Sequence, residues 1–210
     1  MGNIKIEKMV LGMVRTNTWF VLHEETKELI LIDPADDAAR IIQKIEENEW
    51  KLQAILLTHG HFDHIGAVDD LRAHFKGVQC YAGEDEKEVL ENGSYNLSAS
   101  FGSGFAVRAD HLLKDKETLT LAGFKLQVIE TPGHTKGGVC YYLPQEGVLF
   151  SGDTLFHASV GRTDFPTGSM SQIVRSLRYL TENLPGETVV YPGHQETTTI
   201  ACEKRFNPYL

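Results

Sequence analysis

The 210-residue sequence contains few cysteines and no long hydrophobic run. Its three cysteines, Cys80, Cys140 and Cys202, are widely separated and form no C-x-x-C pair, which argues against a disulfide framework and fits a reducing compartment. No apolar stretch approaches the length needed to cross a membrane, and the first residues lack the apolar core of a signal peptide. We therefore expect a cytoplasmic protein that does not enter a membrane.

Positive charge is also scarce. Lysine and arginine number 20 against 29 aspartates and glutamates, so the formal net charge is −9. This balance argues against a general nucleic-acid-binding surface and against an anionic-membrane surface. Hydrophobic residues make up 41% of the chain, which is enough to bury a substantial core. We expect residues 1–210 to form a single domain.

In the first half of the chain, short apolar or alternating segments predict strands, and amphipathic segments predict helices. Strands are predicted at 4–12, 17–22, 29–32, 52–57 and 78–81. The helices are predicted after Asp36 or Asp37, either of which can cap the first one, and then at 66–75 and 84–90. Strands and helices thus alternate as they do in mixed α/β proteins.

The second half repeats this style, with strands predicted at 117–121, 125–130, 138–143, 148–151 and 188–191 and helices at 171–184 and 196–205. Together the halves predict an α/β fold in which two β-sheets pack face to face with helices outside. Segment 92–104 is rich in Gly, Ser and aromatic residues and predicts a loop. Two interpretations of it remain open: a lid over an active site, or a surface excursion whose aromatics fill a small satellite core.

The densest chemical signal is the segment 58–64, Thr-His-Gly-His-Phe-Asp-His, directly after the apolar strand at 52–57. Imidazole and carboxylate groups together suit zinc, iron or manganese. His59 and His61 are two positions apart, so both leave an extended chain on the same side, whereas Asp63 and His64 diverge unless the chain turns between them. This arrangement suggests two metal positions. The alternative is a solvent-exposed His-rich turn.

Three further segments share one form, in which a strand ends, Gly or Pro turns the chain, and a ligand-type residue follows. They are Thr131-Pro132-Gly133-His134, Phe150-Ser151-Gly152-Asp153 and Tyr191-Pro192-Gly193-His194. Glycine permits the sharp exit that aims a side chain back over the strand ends. Any one of them alone is a weak signal, because a His after Pro-Gly is commonly just a turn residue. Three of them together with the His-rich segment favour a metal site.

A two-metal site can be assembled from these side chains. One metal would be held by His59, His61 and His134, and the other by Asp63, His64 and His194. The remaining residue, Asp153, has two oxygens and can bridge the two metals. A water or hydroxide between metals about 3.5–4 Å apart becomes a nucleophile near neutral pH without a separate base. Asp63 and Asp153 are therefore the candidate catalytic residues. The expected cofactors are two divalent metal ions, zinc first, with iron or manganese as alternatives.

The order of these residues resembles the five-part pattern of the metallo-β-lactamase superfamily, with Asp33 as its first motif. The resemblance covers nearly the whole chain and is greatest to the glyoxalase II group, the hydroxyacylglutathione hydrolases. Asp153 stands where zinc β-lactamases carry a cysteine, and the segment Gly161-Arg162-Thr163-Asp164 also favours that group.

The resemblance implies a four-layer αββα sandwich with the metals at one edge. It places Asp33 behind the ligands, where a carboxylate orients a liganding histidine. It further implies hydrolysis of a small thioester such as S-lactoylglutathione, giving a free acid and a thiol.

The resemblance leaves two points open. Only residues 195–210 follow His194, so the chain resembles the short bacterial type without the helical domain that supplies part of the glutathione site in the longer enzymes. Persulfide dioxygenases of the same fold, with a single iron held by two His and one Asp, also resemble the chain and are the alternative function. Arg162 is a candidate substrate residue, which either meets a substrate carboxylate or pairs with Asp164.

Overall fold

Two six-stranded β-sheets form the centre of the computed structural model, which describes residues 3–210. The first sheet contains, in spatial order, β1 (Ile4–Leu11), β2 (Thr16–His23), β3 (Glu28–Ile32), β4 (Lys51–Leu56), β5 (Gln79–Gly83) and β6 (His111–Leu113). The strands β1, β2 and β3 are antiparallel neighbours. From β3 to β6 the strands run parallel, so the sheet is mixed.

The second sheet is built from the second half of the chain. In chain order its strands are β7 (Thr118–Leu121), β8 (Phe124–Glu130), β9 (Val139–Leu143), β10 (Val148–Gly152), β13 (Val189–Pro192) and β14 (Thr198–Thr199). A separate two-stranded hairpin, β11 (Leu155–Phe156) and β12 (Ser159–Val160), follows β10. β13 pairs in parallel with β10, and the other neighbours in the second sheet are antiparallel.

Apolar side chains from both sheets meet in a shared core, with Ile30 and Ile32 from the first sheet and Phe124, Tyr141 and Phe150 from the second. These residues suit strands because β-branched and aromatic side chains pack well on a pleated surface. Their burial removes apolar area from water, and this is the main force that holds the sheets face to face.

Helices cover the outer face of each sheet. α1 (Ala38–Glu47) and α3 (Val68–His74) lie on the first sheet, and α5 (Met170–Asn183) and α6 (Ile200–Phe206) lie on the second. α1 begins after Asp37, whose carboxylate accepts a hydrogen bond from the backbone of Arg40. The layers therefore follow the order helix, sheet, sheet, helix, which confirms the predicted α/β sandwich. Among residues 3–210, no helix has both the length and the apolar character needed to cross a bilayer.

The structure differs from the sequence prediction at several short elements. The terminal helix does not begin at 196, because Thr198–Thr199 pair with β13 and the helix starts at Ile200. The helix predicted at 66–75 begins at Val68 and is preceded by a separate turn, α2 (Phe62–Ile65). The segment predicted as a helix at 84–90 is a 3-10 turn over Glu84–Glu86 followed by α4 (Lys87–Glu91).

One buried hydrogen bond joins the two sheets next to the His-rich segment. The hydroxyl of Tyr141, on β9, donates to the carbonyl of Leu57 over 2.8 Å. Tyr141 is 0% exposed, so no solvent molecule can replace the bond if it is lost. The bond therefore fixes the position of Leu57, where the chain leaves β4, relative to the second sheet.

Tyr141→Phe is expected to lower the free energy of unfolding by about 1–3 kcal/mol, because it leaves the buried Leu57 carbonyl without its donor. Urea unfolding monitored by circular dichroism measures this change. Tyr179→Phe, on the exposed side of α5, is the matched control and is expected to change stability by less than about 0.5 kcal/mol. Equal stability of the two variants would contradict the assignment.

Candidate metal centre

Five strands point toward one edge of the sandwich. β3 and β4 are parallel in the first sheet. In the second sheet β10 and β13 are parallel, and β8 has the same direction because β9 runs antiparallel to both β8 and β10. The carboxyl ends of these strands carry Asp33, the His-rich segment, His134, Asp153 and His194. The fold thus brings side chains from distant parts of the sequence to a single place.

The His-rich segment changes its local structure between its first and second pair of ligand-type residues. His59 and His61 lie in extended chain after β4, and α2 then begins at Phe62. Asp63 and His64 therefore lie on a helical turn, which is the bend that the sequence requires for two metal positions.

His59, His61 and His134 form the first group, in which one nitrogen from each ring lies within 4.8 Å of the others. The Nδ1 atom of His61 is 2.8 Å from Nε2 of His134. Burial lowers the pKa of all three, and that of His59 and His61 falls well below the ordinary value. These rings are therefore neutral near pH 7, and a neutral imidazole has a lone pair available for a cation.

Asp63, His64 and His194 form the second group. Oδ2 of Asp63 lies 3.4 Å from Nε2 of His64 and 3.3 Å from Nε2 of His194. Burial opposes ionisation of Asp63, but the charge on His64 and the hydrogen bond with His194 outweigh it and hold the pKa of Asp63 well below its usual value. Asp63 is therefore a carboxylate at neutral pH.

Asp153 lies between the two groups. Its Oδ1 is 3.4 Å from Nε2 of His64, and its Oδ2 is 3.5 Å from Nε2 of both His134 and His194. This close approach depends on the glycine before His194, because a Cβ on Gly193 would lie only 2.2 Å from Oδ1 of Asp153. One carboxylate is thus within reach of side chains from both sets.

Asp33 lies behind His64, on the side away from Asp153. Its Oδ1 accepts a hydrogen bond from the backbone of Thr58 over 2.8 Å, and its Oδ2 accepts one from the Thr58 hydroxyl over 2.6 Å. Nδ1 of His64 lies 2.9 Å from the same Oδ2. A proton held on Nδ1 in this way leaves Nε2 of His64 directed toward the cluster.

The carboxylates around His64 also control its charge. Burial alone would lower the pKa of His64, but the negative charges of Asp63, Asp153 and Asp33 raise it to about 10. A local excess of negative charge around buried imidazoles is the electrostatic setting that attracts a cation.

Two contacts at the cluster were not predicted from the sequence. The Thr16 hydroxyl donates to Oδ2 of Asp63 over 2.7 Å, and the backbone carbonyl of Arg162 lies 2.7 Å from Nδ1 of His134. The second contact fixes the proton of His134 on Nδ1, so its Nε2 faces the cluster. No sequence signal identifies either partner, because one is a common hydroxyl on β2 and the other is a main-chain atom.

The donor set fits divalent metal ions. Four buried atoms of the cluster have no hydrogen-bond partner among the described residues: Nε2 of His59, His61 and His64, and Oδ1 of Asp153. Leaving several polar atoms unpaired in one buried place is costly, and a bound cation would remove that cost. Imidazole and carboxylate ligands suit zinc, iron and manganese, and ligand chemistry alone does not choose among these metals.

A cavity of about 520 Å³ opens above the cluster, a size typical of small-molecule sites. Its floor includes His61, Asp63, His134, Asp153 and His194. The segment 92–104 contributes to its wall through Leu97, Ser100 and Phe101, and the Phe101 ring lies 4.6 Å from that of Phe62. In this structure the loop therefore borders the site, as the lid interpretation requires.

Arg162 also lines the cavity, but its guanidinium is paired. It donates to both carboxylate oxygens of Asp164 over 2.7 and 2.6 Å, and it stacks 3.9 Å from the ring centre of Phe165. Of the two roles left open by the sequence, the structure shows the pairing with Asp164.

A further group of ligand-type residues, His157, Cys202 and Glu203, lies away from the cavity. The Glu203 carboxylate is already engaged by the Thr198 hydroxyl, the backbone of Ala158 and the Asn207 amide. These bonds give Glu203 a structural role, since they connect α6 to the chain around it.

The fold and the histidine–aspartate cluster define a class of metalloprotein, and the sequence matches the metallo-β-lactamase superfamily over residues 11–194. The chain belongs to that superfamily. It is 36% identical to a probable metallo-hydrolase of Streptococcus pyogenes over 99% of this chain and 90% of the relative. It is also 36% identical to the hydroxyacylglutathione hydrolase GloC of Haemophilus influenzae over 90% of this chain and 91% of that protein.

Comparison with solved structures shows the same fold. The BLEG-1 B3 metallo-β-lactamase superposes with a TM-score of 0.91 at 38% identity, covering 98% of this chain and 99% of the other. A protein solved in a di-iron-bound form superposes with a TM-score of 0.85 at 33% identity, covering 97% of this chain and 100% of the other. ETHE1 from Myxococcus xanthus superposes with a TM-score of 0.80 at 31% identity, covering 97% of this chain and 83% of the other.

Asp33→Asn tests whether the residue behind His64 controls metal binding. We expect a 10- to 100-fold loss of zinc affinity, measured by chelator competition, because an amide has one acceptor oxygen and cannot satisfy the Thr58 backbone, the Thr58 hydroxyl and His64 together. The matched control is Asp37→Asn, because Asp37 has the same left-handed backbone φ of 49° and also accepts a backbone hydrogen bond, but it lies at α1. Unchanged affinity in Asp33→Asn would refute the role.

Proposed function

We propose that this protein is a dinuclear, metal-dependent hydrolase of a small thioester such as S-lactoylglutathione. The observation that carries the proposal is the position of Asp153, whose two oxygens lie 3.4–3.5 Å from His64, His134 and His194 at the floor of a cavity of small-molecule size. One carboxylate between two ligand groups is the arrangement expected for a pair of cations.

In this proposal His59, His61 and His134 would hold one cation and Asp63, His64 and His194 the other, with Asp153 placed to serve both groups. Zinc is the first candidate, and iron and manganese are also compatible with the ligands. Divalent cations bound there would polarise the thioester carbonyl and lower the pKa of a water molecule enough for attack near neutral pH.

The remaining residues orient the ligands and exclude water. Asp33 and the Arg162 carbonyl hold a proton of His64 and of His134 on Nδ1, so that each Nε2 faces the cluster. The raised pKa of His64 keeps a second proton on its Nε2, which a bound cation would displace. Asp63 remains ionised and keeps negative charge at the cavity floor. Phe156 and Phe165, whose rings lie beside His194 and His61, form an apolar wall, which limits the access of bulk water to a bound carbonyl.

The titratable groups of the cavity favour a thioester over an amide. Among the lining residues that the structure describes, every His and Asp belongs to the cluster and Arg162 is paired with Asp164, so no uncommitted acid faces the substrate. An amine leaving group needs a proton as the bond breaks, whereas a thiolate, with a thiol pKa of about 8.5, leaves without one. The name of the GloC relative gives independent support.

The proposal extends to the cellular setting. Cys80, Cys140 and Cys202 are all unpaired, and Cys80 and Cys140 are buried. Unpaired cysteines fit a reducing compartment, so we infer that the protein acts in the cytoplasm.

The test is a panel of substrates assayed on protein whose metals have been quantified. We expect about two metal ions per chain and release of thiol from acyl thioesters. Asp153→Ala is expected to lower kcat/KM by at least about 100-fold, because it removes the carboxylate shared by the two groups.

Two other results would overturn the proposal. One iron per chain with oxygen uptake on a persulfide would establish the oxidoreductase alternative. Hydrolysis of a β-lactam without hydrolysis of any thioester would assign the chain an activity like the one named for the BLEG-1 structure.

A further inference from the structure

The rim of the cavity is apolar on several sides. Its apolar members come from separate elements: Val14, Phe62, Leu97, Phe101, Phe156 and Phe165. Phe101 is 60% exposed and Val14 is 44% exposed. Exposed apolar side chains gathered around the mouth of a polar cluster indicate a binding surface for an apolar group.

The same rim offers little to an anion. Among the lining residues that the structure describes, Arg162 is the one lysine or arginine, and Asp164 engages it with two hydrogen bonds. The hydrogen bonds from Arg162 lower the pKa of Asp164 to about 2. The Nε–Nη2 edge of Arg162, one of the edges that could bind a carboxylate through two hydrogen bonds, is therefore occupied by Asp164 in this structure.

Glutathione carries two carboxylates and an ammonium group. Moving such charges from water to an apolar rim without partners is unfavourable, whereas an apolar thiol gains from the same contact. Resting on the thioesterase function proposed above, we propose that the thiol half of the preferred substrate is uncharged and apolar. S-lactoylglutathione is then a poorer substrate than a lactoyl thioester of a neutral thiol.

Three lactoyl thioesters test this proposal: those of glutathione, of N-acetylcysteamine and of benzyl thiol. We expect kcat/KM for the benzyl thioester to exceed that for the glutathione thioester by tenfold or more, mainly through a lower KM. Equal or higher efficiency with glutathione would overturn the inference while leaving the proposed function intact. Failure to hydrolyse all three would refute the proposed function itself.

Two phenylalanines supply a matched pair of variants. Phe101 lines the cavity, whereas Phe105 is 42% exposed and does not line it. Phe101→Ala is expected to lower kcat/KM for the benzyl thioester by roughly tenfold and to affect the glutathione thioester much less. Phe105→Ala is expected to stay within about twofold of the parent on both substrates. An equal loss on both substrates in Phe101→Ala would contradict an apolar subsite.

A different observation supports a second inference, about Glu86. Its carboxylate is 0% exposed and accepts three hydrogen bonds, from the backbone of Gly60 over 2.7 Å and from the Thr135 hydroxyl and the Gly137 backbone over 2.9 Å each. The contact with Gly137 is so close that a Cβ there would lie 2.0 Å from the Glu86 nitrogen. Glu86 therefore joins two segments that are far apart in sequence.

Those two segments carry the first ligand group. Gly60 separates His59 from His61, and Thr135 follows His134 directly. The geometry points to Glu86 as a positioning residue, which sets the distance between the His59–His61 segment and His134. Its bonds with the described residues do not reach the segment that carries His194, so its effect falls on one metal position.

Glu86→Gln tests this role against Glu203→Gln. Glu203 is also 0% exposed and also accepts three hydrogen bonds, but it lies away from the cluster. An amide has only one acceptor oxygen. In Glu86→Gln its N–H must face the backbone N–H of Gly60 or Gly137, whereas in Glu203→Gln it can face the Thr198 hydroxyl, which can also accept. Glu203→Gln is therefore expected to lose less stability than Glu86→Gln.

We expect Glu86→Gln to weaken one of two zinc-binding events by tenfold or more in a calorimetric titration and to leave the other unchanged. Glu203→Gln is expected to retain both zinc affinities, because its hydrogen bonds lie away from the cluster. Unchanged binding in Glu86→Gln, or an equal loss in both variants, would refute the positioning role.

Discussion

The apolar contact between the two sheets is the constraint on which the site depends. His59, His61, Asp63 and His64 follow a strand of the first sheet, whereas His134, Asp153 and His194 follow strands of the second. Each ligand group therefore contains side chains from both sheets. Close packing resists small relative shifts of such layers, so burial of residues far from the cavity holds the polar cluster together.

Much of this arrangement was predictable from local patterns. Alternating strands and amphipathic helices indicate the layers, and glycine-containing turns before His134, Asp153 and His194 mark the strand ends that meet. Contacts between distant segments were not predictable. Glu86 reads as part of a solvated acidic helix, and Thr16 as an ordinary strand residue, because only the folded chain brings them to the cluster. β6, β11, β12 and β14 contain two or three residues each, too few for a periodic signal.

The fold by itself does not determine the chemistry. The chain resembles proteins named as a metallo-hydrolase, a hydroxyacylglutathione hydrolase and a β-lactamase, and one structural neighbour binds two irons. Such diversity on one scaffold is expected when substrate choice resides in the loops and the rim. In this chain the Arg162–Asp164 pair and the apolar wall differ in character from a surface suited to a charged tripeptide. The rim is therefore the region in which specificity is best sought.

The order of the ligands along the chain has a consequence for biosynthesis. His59, His61, Asp63 and His64 leave the ribosome well before His194, which lies 130 positions after His64. The complete set of donors therefore exists only once the chain has been synthesised through His194, and full metal loading must follow that point. Until then the nascent chain presents a short imidazole-rich segment that has only part of its final coordination, so a cation captured at that stage can still exchange.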